Sequence, residues 1–218
     1  MIDGRTENEW RGNRLMQNRQ AVLEADSPPV HDINPEGVPG DLTSLARWVC
    51  WAWVRDGFKW TKIPKQASQP TRNASSTDPA TWSDFPTAVS AAEANGLGIG
   101  FVFNGDGLVG IDLDDCREPE TGKLLGWAQD IVDHVKTYTE VSPSGTGIKL
   151  FLRGELPDGI RKKHQRPDGD GVVEIFSTGR FFTVTGEREY GTPDSVKDRQ
   201  HALNAIVRMV ESWKGLTV

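Results

Sequence analysis

Apolar residues in this chain come in short bursts separated by glycine-rich or charged turns, and the periods of those bursts predict most of its elements. Arg47-Trp-Val-Cys-Trp-Ala-Trp-Val54 reads as a strand, Asp56-Gly57 as a hairpin turn, and Phe58–Ile63 as the return strand. Gln66–Pro79 is polar and reads as a loop. Thr81 or Ser83 can cap a helix running to Asn95, which Gly96 ends. Leu97–Phe103 and Leu108–Leu113 read as strands joined across a hairpin turn at Asn104-Gly-Asp-Gly107. A helix is expected at Leu124–His134. Strands follow at Thr137–Val141 and Ile148–Arg153, with a charged loop over Glu155–Gly171. Val172–Phe176 and Phe181–Thr185 read as a strand pair across Ser177–Arg180, and an amphipathic helix should run from Asp194 to Trp213. Mixed helices and hairpins predict an α+β fold with a mainly antiparallel or mixed sheet.

Organisation follows from the same pattern. Residues 1–40 are polar with Pro and Gly and read as a flexible arm, with a short helix around Asn13–Glu24. Residues 41–190 form the expected globular domain, and 191–218 a C-terminal helix. A chain of 218 residues can bury a core without staples, and Cys50 and Cys116 have neither metal-ligand nor disulfide-framework spacing. No apolar run is long enough to span a membrane, so a cytoplasmic location is expected. The net charge of −6 argues against a general nucleic-acid coat but leaves room for an acidic, cation-using site.

Three clusters carry the candidate chemistry. In an extended strand Asp112 and Asp114 point to one side, roughly 6–7 Å apart. Two crowded carboxylates on an apolar strand repel each other unless a cation lies between them, and hard oxygen ligands suit Mg²⁺ or Mn²⁺. Asp115 points to the other face and ranks lower. Ser142-Pro-Ser-Gly-Thr-Gly-Ile-Lys149 is a Gly-rich turn whose backbone N–H groups can face outward to an anion, with Lys149 as a point charge. Neither a Walker A loop nor a dinucleotide fingerprint fits it. Glu174, amid Val173 and Ile175, is costly on a central strand unless paired or bound to metal. Arg180 can meet a phosphate or a carboxylate through its fork. Basic residues Lys62 and Lys65, and Arg161, Lys162 and Lys163 before Glu174, could track a nucleic-acid backbone. Trp48, Trp51, Trp53 and Trp60 read as strand packing rather than base-stacking platforms.

The ordered set Val109-Gly-Ile-Asp-Leu-Asp-Asp-Cys116, Glu140-Val-Ser-Pro-Ser-Gly-Thr-Gly-Ile-Lys-Leu-Phe151 and Val173-Glu-Ile-Phe-Ser-Thr-Gly-Arg-Phe-Phe-Thr-Val-Thr-Gly186 resembles the three motifs of the archaeo-eukaryotic primase superfamily. It is most similar to the bifunctional primase–polymerase domains of phages and plasmids. Trp60–Pro64 and Ser76–Trp82 resemble their N-terminal part, so the likeness covers roughly Leu45 to Gly186. The resemblance implies an N-terminal α/β unit packed on an RRM-like catalytic unit. It implies template-directed nucleotidyl transfer from NTPs or dNTPs on single-stranded DNA, making or extending primers. Asp112, Asp114 and Glu174 would be the catalytic residues and hold two Mg²⁺ or Mn²⁺ ions. Ser144, Gly145, Thr146, Gly147, Lys149 and Arg180 would bind the nucleotide. Many members have His where this chain has Lys149. Relatives are often fused to a helicase, so a separate replicative helicase is an expected partner. The alternatives are a non-catalytic nucleotide- or nucleic-acid-binding module of replication initiation and a metal-dependent nuclease.

Overall fold

The computed structural model describes residues 32–56, 59–160 and 162–213. The calls on the arm before residue 32, on Gly57 and Phe58, on Arg161 and on the last five residues fall outside these.

The described strands make two sheets. The first has the order β10-β4-β1-β2-β3: β1 is Trp48–Asp56, β2 Lys59–Gln66, β3 Gln69–Asn73, β4 Gly98–Asn104 and β10 Thr178–Val184. Every pairing in it is antiparallel. The second has the order β11-β7-β5-β9-β8: β5 is Leu108–Asp114, β7 Ile148–Arg153, β8 Lys163–Gln165, β9 Val172–Phe176 and β11 Lys197–Asp198. Strand β6, Thr139–Val141, shares the β7 edge with β11, which pairs parallel to β7. Helices α1 (Gly40–Thr43), α2 (Phe85–Asn95), α3 (Gly126–Val135) and α4 (Gln200–Ser212) complete the α+β fold.

Alternation along the strands explains the layers. Val109, Ile111 and Leu113 of β5 and Ile148, Leu150 and Leu152 of β7 share one face. With Val173 and Ile175 they pack against Ala128, Ile131 and Val132 of α3 and Leu203, Ile206 and Val210 of α4. A second core joins Trp48, Ile99, Phe101, Phe103 and Phe182 of the first sheet to Ala88 and Ala92 of α2 and to Leu108, Phe151 and Phe176 of the second. Gly110 belongs to this junction. A Cβ there would lie 2.4 Å from Phe182 Cε2 and 2.5 Å from Phe103 Cζ.

Several expectations need correction. Asn104–Gly107 is not a hairpin turn but a crossing, since β4 pairs with β1 and β10 while β5 pairs with β7 and β9. The Arg47 guanidinium holds the crossing by bonding Asn104 Oδ1 at 2.7 Å and the Asp106 carboxylate. The passage from β9 to β10 at Ser177 is likewise a crossing, and Thr178–Arg180 already belong to β10. The cap of α2 is Asp84, which accepts the Thr87 N–H at 2.8 Å, whereas Thr81 bonds back to Ser75 and Asp78. The polar 66–79 segment contains the edge strand β3, whose side chains give no alternation to read. Strand β8 lies inside the expected charged loop. Residues 197–198 extend the second sheet, so α4 starts at Gln200 rather than Asp194.

Candidate active site

The site begins with register. On β5, Asp112 lies opposite Lys149 of β7 on one side and Glu174 of β9 on the other. Lys149 in turn lies opposite Glu140 of β6, and Glu174 opposite Lys163 of β8. Directly paired residues share a face. One row of charge therefore crosses five strands in the order Glu140, Lys149, Asp112, Glu174, Lys163. Asp114, two residues beyond Asp112, stands on the same face. The opposite face belongs to the helices, so every apolar residue of β5 after Gly110 is used there.

Ion pairs organise the row. Lys149 Nζ bonds Asp112 Oδ2, their side chains only 6% and 14% exposed, and the ammonium stands 4.9 Å from the Phe182 ring centre. Glu174 takes Lys163 Nζ at 3.0 Å on one oxygen and Arg180 Nη2 at 3.5 Å on the other. Those two cations are more than half exposed and can turn to another anion. The Arg180 guanidinium also lies 5.0 Å from the centre of the Phe176 ring. Burial first, then the charge of Asp112, pushes the Asp114 carboxyl up to about 6, with Glu174 and Asp115 adding to the rise and Lys149 opposing it.

A divalent cation fits this chemistry. Asp112 Oδ1 is a buried carboxylate oxygen with no hydrogen-bond partner, and Asp114 is crowded by like charge. Both features favour a hard cation among oxygen ligands. Among the described residues no three His, Cys, Asp or Glu are gathered closely enough to hold a metal by themselves. Two of the three expected ligands are instead turned to side-chain cations.

The Ser142–Gly147 loop packs against the end of β5. A Cβ on Gly147 would lie 2.6 Å from Leu113 O and 3.5 Å from Asp114 Cα. Ser142 Oγ, Ser144 Oγ and Thr146 Oγ1 form a chain of hydroxyls at 3.0 and 2.8 Å. The amide groups of the loop turn inward, against expectation. Gly145 N–H donates to Ser142 O, Gly147 N–H to Ser142 Oγ and Thr146 N–H to Ser144 Oγ. Gly145, at φ 73°, and Gly147 thus supply shape, and the Ser144 and Thr146 hydroxyls supply polar groups. Arg117 straps the loop down, donating to Gly145 O at 3.1 Å and to Glu189 Oε2 at 3.1 Å.

Residues 50–205 match the family model described as "Bifunctional DNA primase/polymerase, N-terminal". This chain belongs to the Prim-Pol family. It is also 38% identical over 155 residues to the protein named DNA Primase-polymerase of Nitratiruptor phage NrS-1. That alignment covers 70% of this chain and 21% of the relative, so the chain spans about a fifth of that protein's length.

Not every charged position of this Prim-Pol chain joins the row. Lys65 lies on β2 between Cys50 of β1 and Asn73 of β3, and its ammonium bonds Asn73 Oδ1 at 2.8 Å. Lys162 lies over the Phe176 ring at 5.8 Å. Lys62 lies over the rings of Trp51 and Trp53, at 5.6 and 5.1 Å from their centres, and burial first, then the charge of Lys149, lowers its ammonium to about 8. Trp48 is fully buried and packs edge-on against Phe85 and Phe101. Cys50 and Cys116 are buried free thiols. No helix among the described residues is long and apolar enough to cross a membrane.

Two site residues escaped sequence reasoning. Glu140 is fully buried and accepts Tyr138 O–H at 2.8 Å and the N–H groups of Thr185 and Gly186 at 3.1 and 3.2 Å. Burial drives its carboxyl up to about 7 despite those donors. It ties β6 to the segment leaving β10. The signal available was a lone Glu two residues before the Gly-rich loop, in a burst of Thr, Tyr and Val. Arg117, the loop strap, had no signal beyond following Cys116.

Proposed function

We propose that this chain is a primase–polymerase catalytic domain that transfers nucleotidyl groups from NTPs or dNTPs onto a strand paired with a single-stranded DNA template. The observation that carries the reading is the register placing Asp112 between Glu174 and Lys149, with Asp114 beside the Ser142–Gly147 loop. We take the first sheet with α2 as the N-terminal unit and the second sheet with α3 and α4 as the RRM-like unit.

Asp112, Asp114 and Glu174 would hold Mg²⁺ or Mn²⁺. Such ions, when bound, neutralise charge on the attacking and leaving oxygens of the transfer. The chain's own groups do the positioning. Lys149 and Arg180 each leave a carboxylate for the triphosphate and offset its charge. The Ser144 and Thr146 hydroxyls orient it by hydrogen bonds. Arg117 keeps the loop in place while the phosphates enter and leave. Lys163 covers Glu174 from the outer edge.

The test is synthesis on single-stranded DNA with labelled ribo- and deoxyribonucleotides, Mg²⁺ or Mn²⁺, and Asp112→Asn/Asp114→Asn alongside. Oligonucleotides made by the wild type alone are the expected outcome. Equal products from both proteins would overturn the assignment. The pairing of Lys163 and Arg180 with Glu174 also suits a module that binds nucleotides without turnover. Metal-dependent triphosphate binding with no incorporation, even onto a supplied primer, would favour that second reading.

A further inference from the structure

Lys163 carries the further inference. It stands on β8, at the end of the second sheet, opposite Glu174 of β9. Its ammonium meets Glu174 Oε1 at 3.0 Å, with its side chain 64% exposed and that of Glu174 10% exposed. The two ends of this ion pair have unequal needs. A carboxylate so enclosed is costly without a positive neighbour, whereas an ammonium already in water loses little by leaving. The pair of Lys149 with Asp112 differs, since both of its members are enclosed. Arg180 takes the second Glu174 oxygen at 3.5 Å, so side-chain cations hold both oxygens that a metal would use. A divalent ion at Glu174 would stand beside two like charges, which favours their departure. Arg180 has the triphosphate to turn to. Lys163 needs another anion.

Position decides which anion that is. The Ser142–Gly147 loop joins β6 to β7, and Lys149 lies on β7. From β7 to β8 the sheet runs through β5 and β9, three strand spacings or roughly 14 Å. Phosphates gathered at the loop and Lys149 therefore lie on the far side of Asp112 and Glu174 from Lys163. The anion beyond Glu174 belongs to a different group. Lys162 adds a second exposed ammonium at this edge, resting 5.8 Å from the centre of the Phe176 ring. Neighbouring cations on an open sheet edge suit the repeated phosphodiesters of a nucleic-acid strand.

We propose that Lys163 exchanges partners. It neutralises Glu174 when no divalent ion is bound there, and turns to a backbone phosphate of the DNA strand when one is. Metal and DNA then favour each other's binding through this residue, by the same factor in either direction. The proposal rests on the reading of Glu174 as a metal ligand and adds what the side-chain partner of that ligand does next.

The experiment is Mn²⁺ titration of the full chain, read by electron paramagnetic resonance of the free ion, with and without a short single-stranded DNA oligonucleotide. The oligonucleotide should tighten Mn²⁺ binding to the wild type about fivefold, the low end for coupled sites. Lys163→Met removes the competing charge. It should bind Mn²⁺ about fivefold more tightly without DNA, and gain less than about twofold from DNA. Lys163→Arg, which still pairs with Glu174, should keep the wild-type pattern. Lys162→Met removes a charge at the same edge that does not rest on Glu174, and should leave Mn²⁺ affinity without DNA within about twofold of wild type. Equal gains in Mn²⁺ affinity from Lys163→Met and Lys162→Met overturn the exchange, since the general field of the patch then explains both. An oligonucleotide effect of the same size in Lys163→Met and wild type also overturns it. Wild-type Mn²⁺ affinity in Lys163→Met, with Mn²⁺ binding lost in Glu174→Gln, overturns the role of Lys163 and leaves the metal-ligand reading standing. Undiminished Mn²⁺ binding in Glu174→Gln, or a wild type that binds none, overturns both.

Discussion

Replacing Lys149 with Met tests the charge row most directly. The variant keeps the volume of the stem beside Phe182 and removes the one group that, among the described residues, bonds the Asp112 carboxylate, whose Oδ1 has no partner there. Removing one partner of a buried ion pair costs about 3–5 kcal/mol because the other charge stays buried and unmatched. The 14% exposure of Asp112 places the expected loss at the lower end, about 3 kcal/mol. Asp112→Asn should cost less, about 2 kcal/mol, because the amide oxygen still accepts from Lys149. The double variant should lose far less than the sum, leaving a coupling of about 2 kcal/mol. Urea unfolding in a chelating buffer measures all four corners of the cycle. Adding Mn²⁺ should then stabilise Lys149→Met more than wild type, since a bound cation replaces the missing charge. A loss below about 1 kcal/mol, or additivity of the two changes, would refute the reasoning.

Other consequences follow from single positions. Gly110→Ala should lower stability by about 2–3 kcal/mol in thermal or urea unfolding, because its methyl meets the Phe182 and Phe103 rings where neither can withdraw. Glu140 makes stability fall with pH. Its carboxyl is raised from 4.5 to about 7 in the fold, so the folded protein binds more protons between those values. The benefit is full below 4.5 and gone above about 7, on the order of 3 kcal/mol in all, and Glu140→Gln should flatten that slope in urea unfolding across the range. Arg117→Ala frees both Gly145 O and Glu189, so KM for the nucleotide should rise several-fold with kcat little changed in steady-state incorporation assays.

What the sequence revealed, and what it hid, divides along the range of the interactions. Asp112 and Asp114 were legible as a same-face pair because alternation within one strand is local. The loop after Val141 was legible as a glycine-rich turn, yet the direction of its amides was not, because the Ser142 and Ser144 hydroxyls compete for those N–H groups. Glu174 was legible only as an expensive carboxylate. Its partners Lys163 and Arg180 are set by pairing between β8 and β9 and by the path of β10. The two false hairpins have one cause. Asn104-Gly-Asp-Gly107 and Ser177-Thr-Gly-Arg180 carry good local turn signals, but each strand beside them finds longer pairings elsewhere, and those decide the sheet. The crossings lie together, with Gly105 N–H bonded to Ser177 O at 2.8 Å, and Arg47 clasps the first of them. They therefore fix how the first sheet meets the second. Phe182 gains its place beside the Lys149 ammonium only through that meeting, since β10 and β7 belong to different sheets. A motif search ranks residues by their own strand, whereas Phe182 is placed by two turns that contain none of the motif's carboxylates.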